Sequence, residues 1–381
     1  MELLEKVTKS RKEKAIRLLK NFDADGWIVI SSGNDPNFEY LLGTRVYGTS
    51  IAFLTESGLS ILVSKLEESM VKMPHVDQIT TYYGSKEFIN GLINLISTVR
   101  GGKLLVNIAP PMLAPYASRI FYGHAKLLQN MAEIYGITLL SAHKYIWELR
   151  SVKTEAEIDA LTRAVEASLD ALEIVFNNTK IGMTEKEVAA ELYKEIYMIG
   201  SPSFDIIVAF GENSANPHHT TSNKKLRNGE IGYIDMGIKI ASMCADITRV
   251  FFTSNVNSKF RQIYEIVREA QDGSISIMRD GIPAREPDSK AREIIKNEGY
   301  NPEEVFTHGL GHPVGVEVHD VGPALSFLAD PKQIIRENMT LTVEPAIYLR
   351  DEGGIRLEDD IVIKKTKAIR LSKAPEEPIR I

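Results

Sequence analysis

The stretch IGYIDMGIKIASMCADITRVFF (231–252) holds two β-type apolar runs, each with one aspartate, Asp235 and Asp246, eleven residues apart. Lys239, Ala241 and Ser242 lie where the chain can reverse, so the runs can pair as a hairpin with both carboxylates on one face. An ionised carboxylate in such a run is expensive to bury unless a cation or a full set of hydrogen bonds compensates it. Either aspartate alone has an ordinary reading, a strand-edge residue satisfied by backbone or by nearby Arg249.

Three further runs repeat the pattern: HGLGHPVGVEVH (308–319) with His312, LTVEPAIYL (341–349) with Glu344, and GIRLEDDIVI (354–363) with Glu358. His308 and His312 are four apart, but Gly309, Gly311, Pro313 and Gly315 argue against a helix, so spacing alone does not orient them. Five of the eight histidines fall between 218 and 319, which favours a site. Pro345 ends or kinks the strand at Glu344. Glu358 shares a strand face with Arg356, and the ordinary reading of that pair is a surface ion pair. Asp359 and Asp360 read as solvent-facing or structural, and Cys244 as a small buried residue.

Four carboxylates and an imidazole exceed the three protein ligands usual for a catalytic zinc. They suit two divalent cations about 3.5–4 Å apart, which lower the pKa of a bridging water and polarise a carbonyl. An oxygen-rich set favours harder metals such as Mn²⁺, with Co²⁺, Fe²⁺ and Zn²⁺ as alternatives. The task this chemistry suits is hydrolysis.

The rest of the chain frames that site. At 381 residues it is long for one domain and comfortable for two, and its 44% hydrophobic and 25% charged content is that of a globular protein. A net charge of −6 with both signs interspersed points to neither nucleic acid nor an anionic membrane as partner. The N-terminus, MELLEKVTKSRKEKA, has no signal-peptide core, and no run approaches the roughly 18 apolar residues of a membrane span. A lone cysteine excludes an intrachain disulfide and a thiolate zinc cage, so a cytoplasmic location is expected.

Up to about residue 140, short β-type runs (27–31, 50–54, 59–64, 78–83, 103–109 and 137–142) alternate with helical patterns such as 10–22 and 86–99, which predicts an α/β domain. The boundary falls near YIWELRSVK (145–153), giving domains 1–146 and 147–381. Capping-box pairs Thr154/Glu157 and Thr184/Glu187 open two helices, and 258–270 and 289–299 read as two more. The runs carrying the five ligands lie between and after these helices. The second domain is therefore α+β, with helices packed on a largely antiparallel sheet.

Taken in order, IDMG, ADITR, HGLGHPVGVEVHD, TVEPAIY and IRLEDD resemble the pita-bread metallopeptidases, in their Xaa-Pro dipeptidase (prolidase) and Xaa-Pro aminopeptidase branch. The part before about 147, including PNFEYLLGT (36–44), resembles the N-terminal domain of the creatinase and prolidase group. The resemblance implies hydrolysis of an Xaa-Pro bond by a hydroxide bridging two divalent metals, Mn²⁺ or Co²⁺ first. Asp235 would serve one metal, His312 and Glu344 the other, and Asp246 and Glu358 would bridge. Glu344 would also pass the water's proton to the leaving nitrogen. His218 matches the transition-state histidine, with His219 as the assignment shifted by one, and His319 the histidine near the scissile bond. His308, Tyr348, Arg356 and His219 would contact substrate or brace the ligands. A homodimer is implied as well.

Dipeptidase is the first reading, by chain length, and aminopeptidase action on longer peptides the alternative. Methionine aminopeptidase shares the catalytic fold without needing this N-terminal domain. Metal-free hydrolysis of the creatinase kind and a non-catalytic peptide-binding module both fit poorly with an intact ligand set.

Overall fold

A computed structural model describes residues 2–109 and 115–381, and the chain divides into two compact units, Met1–Arg150 and Ser151–Ile381. In the first, strands β1 (Gly26–Ser32), β2 (Thr49–Thr55), β3 (Gly58–Ser64), β4 (Gln78–Tyr82), β5 (Lys103–Val106) and β6 (Thr138–Ser141) form one mixed sheet in the order β4-β3-β2-β1-β5-β6. The helices are α1 (Glu2–Asn21), α2 (Pro36–Leu42), α3 (Ser85–Ser97), α4 (Tyr122–Tyr135) and α5 (His143–Ser151). β1 is buried along six of its seven residues, as a strand covered on both faces must be. On one of those faces Ile28 and Ile30 join a cluster with Leu92 of α3 and Met131 of α4. This is the α/β domain that the alternation implied.

In the second unit, α6 (Glu155–Asn178) and α7 (Glu185–Ile199) both start at the capping boxes read from the sequence, each with reciprocal bonds between threonine and glutamate. There follow β7 (Ser201–Pro202), β8 (Ile207–Phe210), β9 (Ile231–Met236), β10 (Ile238–Ile240), β11 (Met243–Cys244) and β12 (Ile247–Phe252). Next come α8 (Ser258–Ile277), α9 (Arg285–Asn297), β13 (Thr340–Val343), β14 (Ala346–Leu349), β15 (Gly353–Arg356), β16 (Asp359–Ile363), β17 (Ala368–Arg370) and β18 (Ile379–Arg380). The sheets run β18-β12-β9-β8, β13-β16-β17, β14-β15 and β11-β10-β7, antiparallel except for β12 with β18. α8 continues past the expected end at 270, through Gly273, where a Cβ would stand 2.5 Å from Ile294 of α9. A glycine that weakens an isolated helix here permits two helices to pack closely.

The period of two in β9 and β12 sorts their residues between two cores. Ile234 and Met236 of β9, with Ile247 and Phe251 of β12, pack under α6 and α7 beside Leu172, Val188 and Leu192. Ile231 and Tyr233, with Val250 and Phe252, face the opposite core, built on α8, α9 and β13 to β16. β9 and β12 pair antiparallel with Asp235 opposite Thr248. Asp246, two residues before Thr248, therefore shares the face of Asp235. That face also carries Ile231 and Tyr233, so it turns toward the core built on α8, α9 and β13 to β16.

Between the two aspartates the chain makes a small hairpin, β10 with β11, whose two loop residues Ala241 and Ser242 have φ of 47° and 61°. Positive φ at both positions is what a two-residue hairpin turn requires. At Gly237, where β9 gives way to this hairpin, a Cβ would lie 1.7 Å from the carbonyl oxygen of Ala245. The obstacle is backbone, so no rotamer change relieves it. Gly237→Ala is expected to cost about 1–3 kcal/mol or more in denaturant unfolding and to weaken divalent-metal binding, since Asp235 and Asp246 flank the displaced segment. Unchanged unfolding and metal affinity would show that the approach is not needed.

Candidate metal centre

All five expected ligands converge. Oxygens of Asp246 and Glu358 and a ring nitrogen of His312 lie within 4.8 Å of one another. His312 Nε2 stands 3.4 Å from Asp246 Oδ2 and 3.6 Å from Glu344 Oε1. Its Nδ1 is 3.1 Å from the Pro313 carbonyl, so a proton on Nδ1 leaves the Nε2 lone pair facing the carboxylates. The irregular strand carrying His312 is clamped to β13. His312 N donates to Thr342 Oγ1, Thr342 N to the His312 carbonyl and Glu344 N to the Leu310 carbonyl. Glu344 lies in the break between β13 and β14 that Pro345 imposes.

Asp235, Asp246 and Glu358 are at most 7% exposed. Burial pushes the carboxyls of Asp235, Asp246, Glu344 and Glu358 above their ordinary range. Mutual repulsion pushes Asp246 and Glu358 further up, while Arg356 pulls against the shift. Oδ1 of Asp235 is buried and meets no hydrogen-bond donor among the described residues. Clustered carboxylates, an oriented imidazole lone pair and an orphaned oxygen are the donor set a divalent cation needs. The residues present fit such an ion.

Arg356 is buried and its three nitrogens are engaged within the site. Nη2 pairs with Asp235 Oδ2, Nε donates to Thr248 Oγ1 at 3.1 Å, and Nη1 to the Tyr348 hydroxyl at 2.9 Å and the Pro217 carbonyl at 3.2 Å. Its ion-pair partner is thus Asp235, and the surface pair with Glu358 does not form. Thr248 links the two, donating to Glu358 Oε2 at 2.7 Å. The Tyr348 hydroxyl lies 3.1 Å from His308 Nε2, and His308 Nδ1 is 2.8 Å from the Gly309 carbonyl. Burial and the Arg356 charge push the His308 pKa down to about 3, so its neutral ring accepts from Tyr348. Tyr348 and Arg356 are thus both bonded to protein groups of the site, Tyr348 to His308 and Arg356 to Asp235.

Above the carboxylates opens a cavity of about 460 Å³, lined by His218, His308, His312, His319, Glu344 and Arg356 with apolar Phe204, Ile207 and Val318. That is ample for a short peptide. The rings of His319 and His312 meet edge to face with centroids 4.0 Å apart. Burial, with His312 and His218 adding to it, lowers the His319 pKa to about 4. His219, expected to contact substrate, does not join this group. Its Nε2 is 2.8 Å from Glu185 Oε2, and that bond turns the ring away from the cavity lining.

Further buried groups hold the site. Asp359 and Asp360 are fully buried, in keeping with the structural one of their two readings. Asp359 is held by Arg249 at 2.8 Å and Ser372 at 2.6 Å, while Arg249 also donates to the Glu358 carbonyl at 2.6 Å. Asp360 Oδ2 accepts from Asp246 N at 2.9 Å. Lys153 and Asp320 form a buried pair at 3.2 Å beside His319, and Asp320 also accepts from Val316 N. Thr248 was not singled out from the sequence, though its place two residues from Asp246 on the same strand face is a signal that could have found it. Lys153 is 167 positions from Asp320 and gave no local signal.

Residues 159–365 match the family model described as Metallopeptidase family M24. The protein belongs to metallopeptidase family M24 and has the two-domain architecture, α/β followed by pita-bread, of its Xaa-Pro branch. The Xaa-Pro dipeptidase of Pyrococcus horikoshii is 31% identical over 369 residues, spanning 96% of this chain and 99% of the relative. Among solved structures, an X-Pro aminopeptidase from Thermotoga maritima MSB8 matches with a TM-score of 0.84 at 29% identity, covering 96% of this chain and 99% of its own. The prolidase from Pyrococcus horikoshii OT3 matches with 0.80 at 30%, covering 97% and 100%. Among the described residues no helix is long and apolar enough to cross a membrane.

Proposed function

We propose that the protein hydrolyses the bond between a residue and a following proline, with Xaa-Pro dipeptides as its substrates. The observation that carries this reading is the buried group of four carboxylates and one oriented imidazole on a peptide-sized cavity. Similarity to an Xaa-Pro dipeptidase along almost the full length of both chains supports it. Asp235, Asp246, His312, Glu344 and Glu358 would hold two divalent ions, with Asp246 and Glu358 shared between them. The oxygen-rich set favours Mn²⁺ or Co²⁺. Such ions supply Lewis acidity, which activates water and polarises the scissile carbonyl.

The chain's own groups would do the rest. The nitrogen of a scissile amide must gain a proton to leave as an amine, and the tertiary nitrogen of an Xaa-Pro bond is no exception. Glu344 suits that task because its side chain is 15% exposed against 7% for Asp246 and 10% for Asp235. It can take a proton from the attacking water and hand it to the proline nitrogen. His319, neutral at working pH, and His218 would donate hydrogen bonds to the oxygen on which charge develops. Braced by Arg356 and Tyr348, His308 closes the wall next to Glu344, with Nδ1 3.9 Å from Glu344 Oε2. A single buried cysteine suits a reducing cytoplasm. The resemblance to this branch supports a homodimer, which light scattering checks.

A paired assay with metal titration tests the reading. Chelated protein reloaded with Mn²⁺ or Co²⁺ is expected to split Gly-Pro and to leave Gly-Pro-Xaa tripeptides largely intact. Release of the first residue from tripeptides, with Gly-Pro untouched, establishes the aminopeptidase alternative instead. A protein that binds divalent metal but cleaves neither overturns both.

A further inference from the structure

Glu185 is a fully buried carboxylate, at the first turn of α7, that no step above uses. It collects five donors from the last residue of β8 and the segment that follows it. Oε1 accepts from Phe210 N at 2.9 Å and Asn213 Nδ2 at 2.8 Å. Oε2 accepts from His219 Nε2 at 2.8 Å, Ser222 N at 2.8 Å and Ser222 Oγ at 2.6 Å. Burial alone would raise this carboxyl, but the bonds from Ser222, Asn213, His219 and Phe210 outweigh it and hold it below the ordinary range. Glu185 is therefore an anion that fastens one loop at both ends.

That loop carries two adjacent histidines, and the anchor divides them. His219 is drawn to Glu185, whereas His218 lines the cavity. On the other side of His218 the loop is held from the metal centre. Arg356 Nη1 donates to the Pro217 carbonyl, and the Tyr233 hydroxyl donates to the Asn216 carbonyl at 3.0 Å. His218 thus sits between a bond to Arg356 and a bond to Glu185, while its own ring is well exposed to the cavity.

We propose that Glu185 and His219 form a positioning pair whose function is to present His218 to the substrate. The two act through His218 and touch no reacting atom. Substitution of groups that orient a reacting residue typically costs about 10–100-fold in activity, and a group acting solely through another shows no separate effect once that other is gone.

The kinetic arm rests on the Xaa-Pro reading; the exchange arm does not. In the full-length, metal-loaded protein, His219→Leu is expected to lower turnover of Gly-Pro at least about tenfold with bound metal unchanged. His219→Gln, which keeps a donor near the position of Nε2, is expected to restore most of that loss. In a His218→Ala background, His219→Leu should cost nothing further. By amide exchange, the segment from Phe210 to Ser222 should lose protection in His219→Leu and in Glu185→Gln, in protein that has never met substrate. An equal loss in the two backgrounds overturns the proposal, as does full turnover in His219→Leu or unchanged exchange in both variants. If wild-type protein cleaves no Xaa-Pro peptide, the functional reading fails, and exchange alone decides whether the pair holds the loop.

Discussion

Chelating divalent metal is expected to lower the unfolding temperature of this protein, with a gap between metal-loaded and metal-free protein that widens as pH rises above the ordinary carboxylate range. The cause is the charge packed on the face of β9 and β12 that turns toward β13 to β16. Asp235, Asp246, Glu344 and Glu358 all have carboxyls raised above their ordinary values by burial, with repulsion adding at Asp246 and Glu358. Above about pH 4, where unfolded carboxylates ionise, the metal-free folded state holds more protons than the unfolded chain. Stability then falls as pH rises through the folded-state values. Metal binding requires the deprotonated ligands and releases those protons, so its share of the stability grows over the same range. Metal held at a hundred times its Kd adds about 2.7 kcal/mol, or roughly 5–11 °C for a unit of this size. Calorimetry with and without chelator at pH 5, 6.5 and 8 measures the gap. A constant or narrowing gap sinks the argument. A sharper form is that metal-free Asp246→Asn melts above metal-free wild type at pH 8, because it removes one of four crowded charges.

The sequence made legible whatever depended on period and local chemistry. Asp235 and Asp246 could be placed on one face because strand parity is absolute, and their pairing through Thr248 follows that parity. Capping boxes at Thr154 and Thr184 marked helix starts because a cap is a bond between residues three apart. What could not be read were contacts joined only by the fold. Gly273 lies inside α8 because Ile294 of α9 presses against it, and that pressure is invisible in the helix's own residues. Arg356 looked like a partner for Glu358, two positions away, yet it pairs with Asp235, 121 positions away. The resemblance ranked His218 ahead of His219, although the two side chains are alike in chemistry. The buried Glu185, 34 positions before His219, is what separates them in the fold. Local spacing thus pointed to the residues that the fold gathers on one cavity, while the groups that orient them come from distant segments.

Glu344→Gln is expected to lower turnover of Gly-Pro by roughly 10²–10⁴-fold, the usual share of a general acid–base group, with the fold intact. The substitution keeps the side chain's size and leaves an oxygen that can still accept from Thr342 Oγ1, 3.4 Å away in the native protein. What it removes is the ability to carry a proton. Burial raises this carboxyl while neighbouring His312 and Arg356 pull against the rise, a balance suited to a group that must both take and give a proton. Of the carboxylates here it is also the more open to the cavity, so substrate can reach it. Because Glu344 is also expected to bind metal, the loss has two sources that must be separated. Loss of a ligand weakens metal affinity and is made good by excess Mn²⁺ or Co²⁺, whereas loss of the proton carrier persists at saturating metal. The expected result is therefore a kcat deficit that survives metal saturation, with kcat and kcat/KM lowered together, the signature of an interaction made in the transition state. Recovery of near-normal kcat in excess metal would leave Glu344 as a ligand only, and the proton for the proline nitrogen would then have to come from another group on the cavity wall.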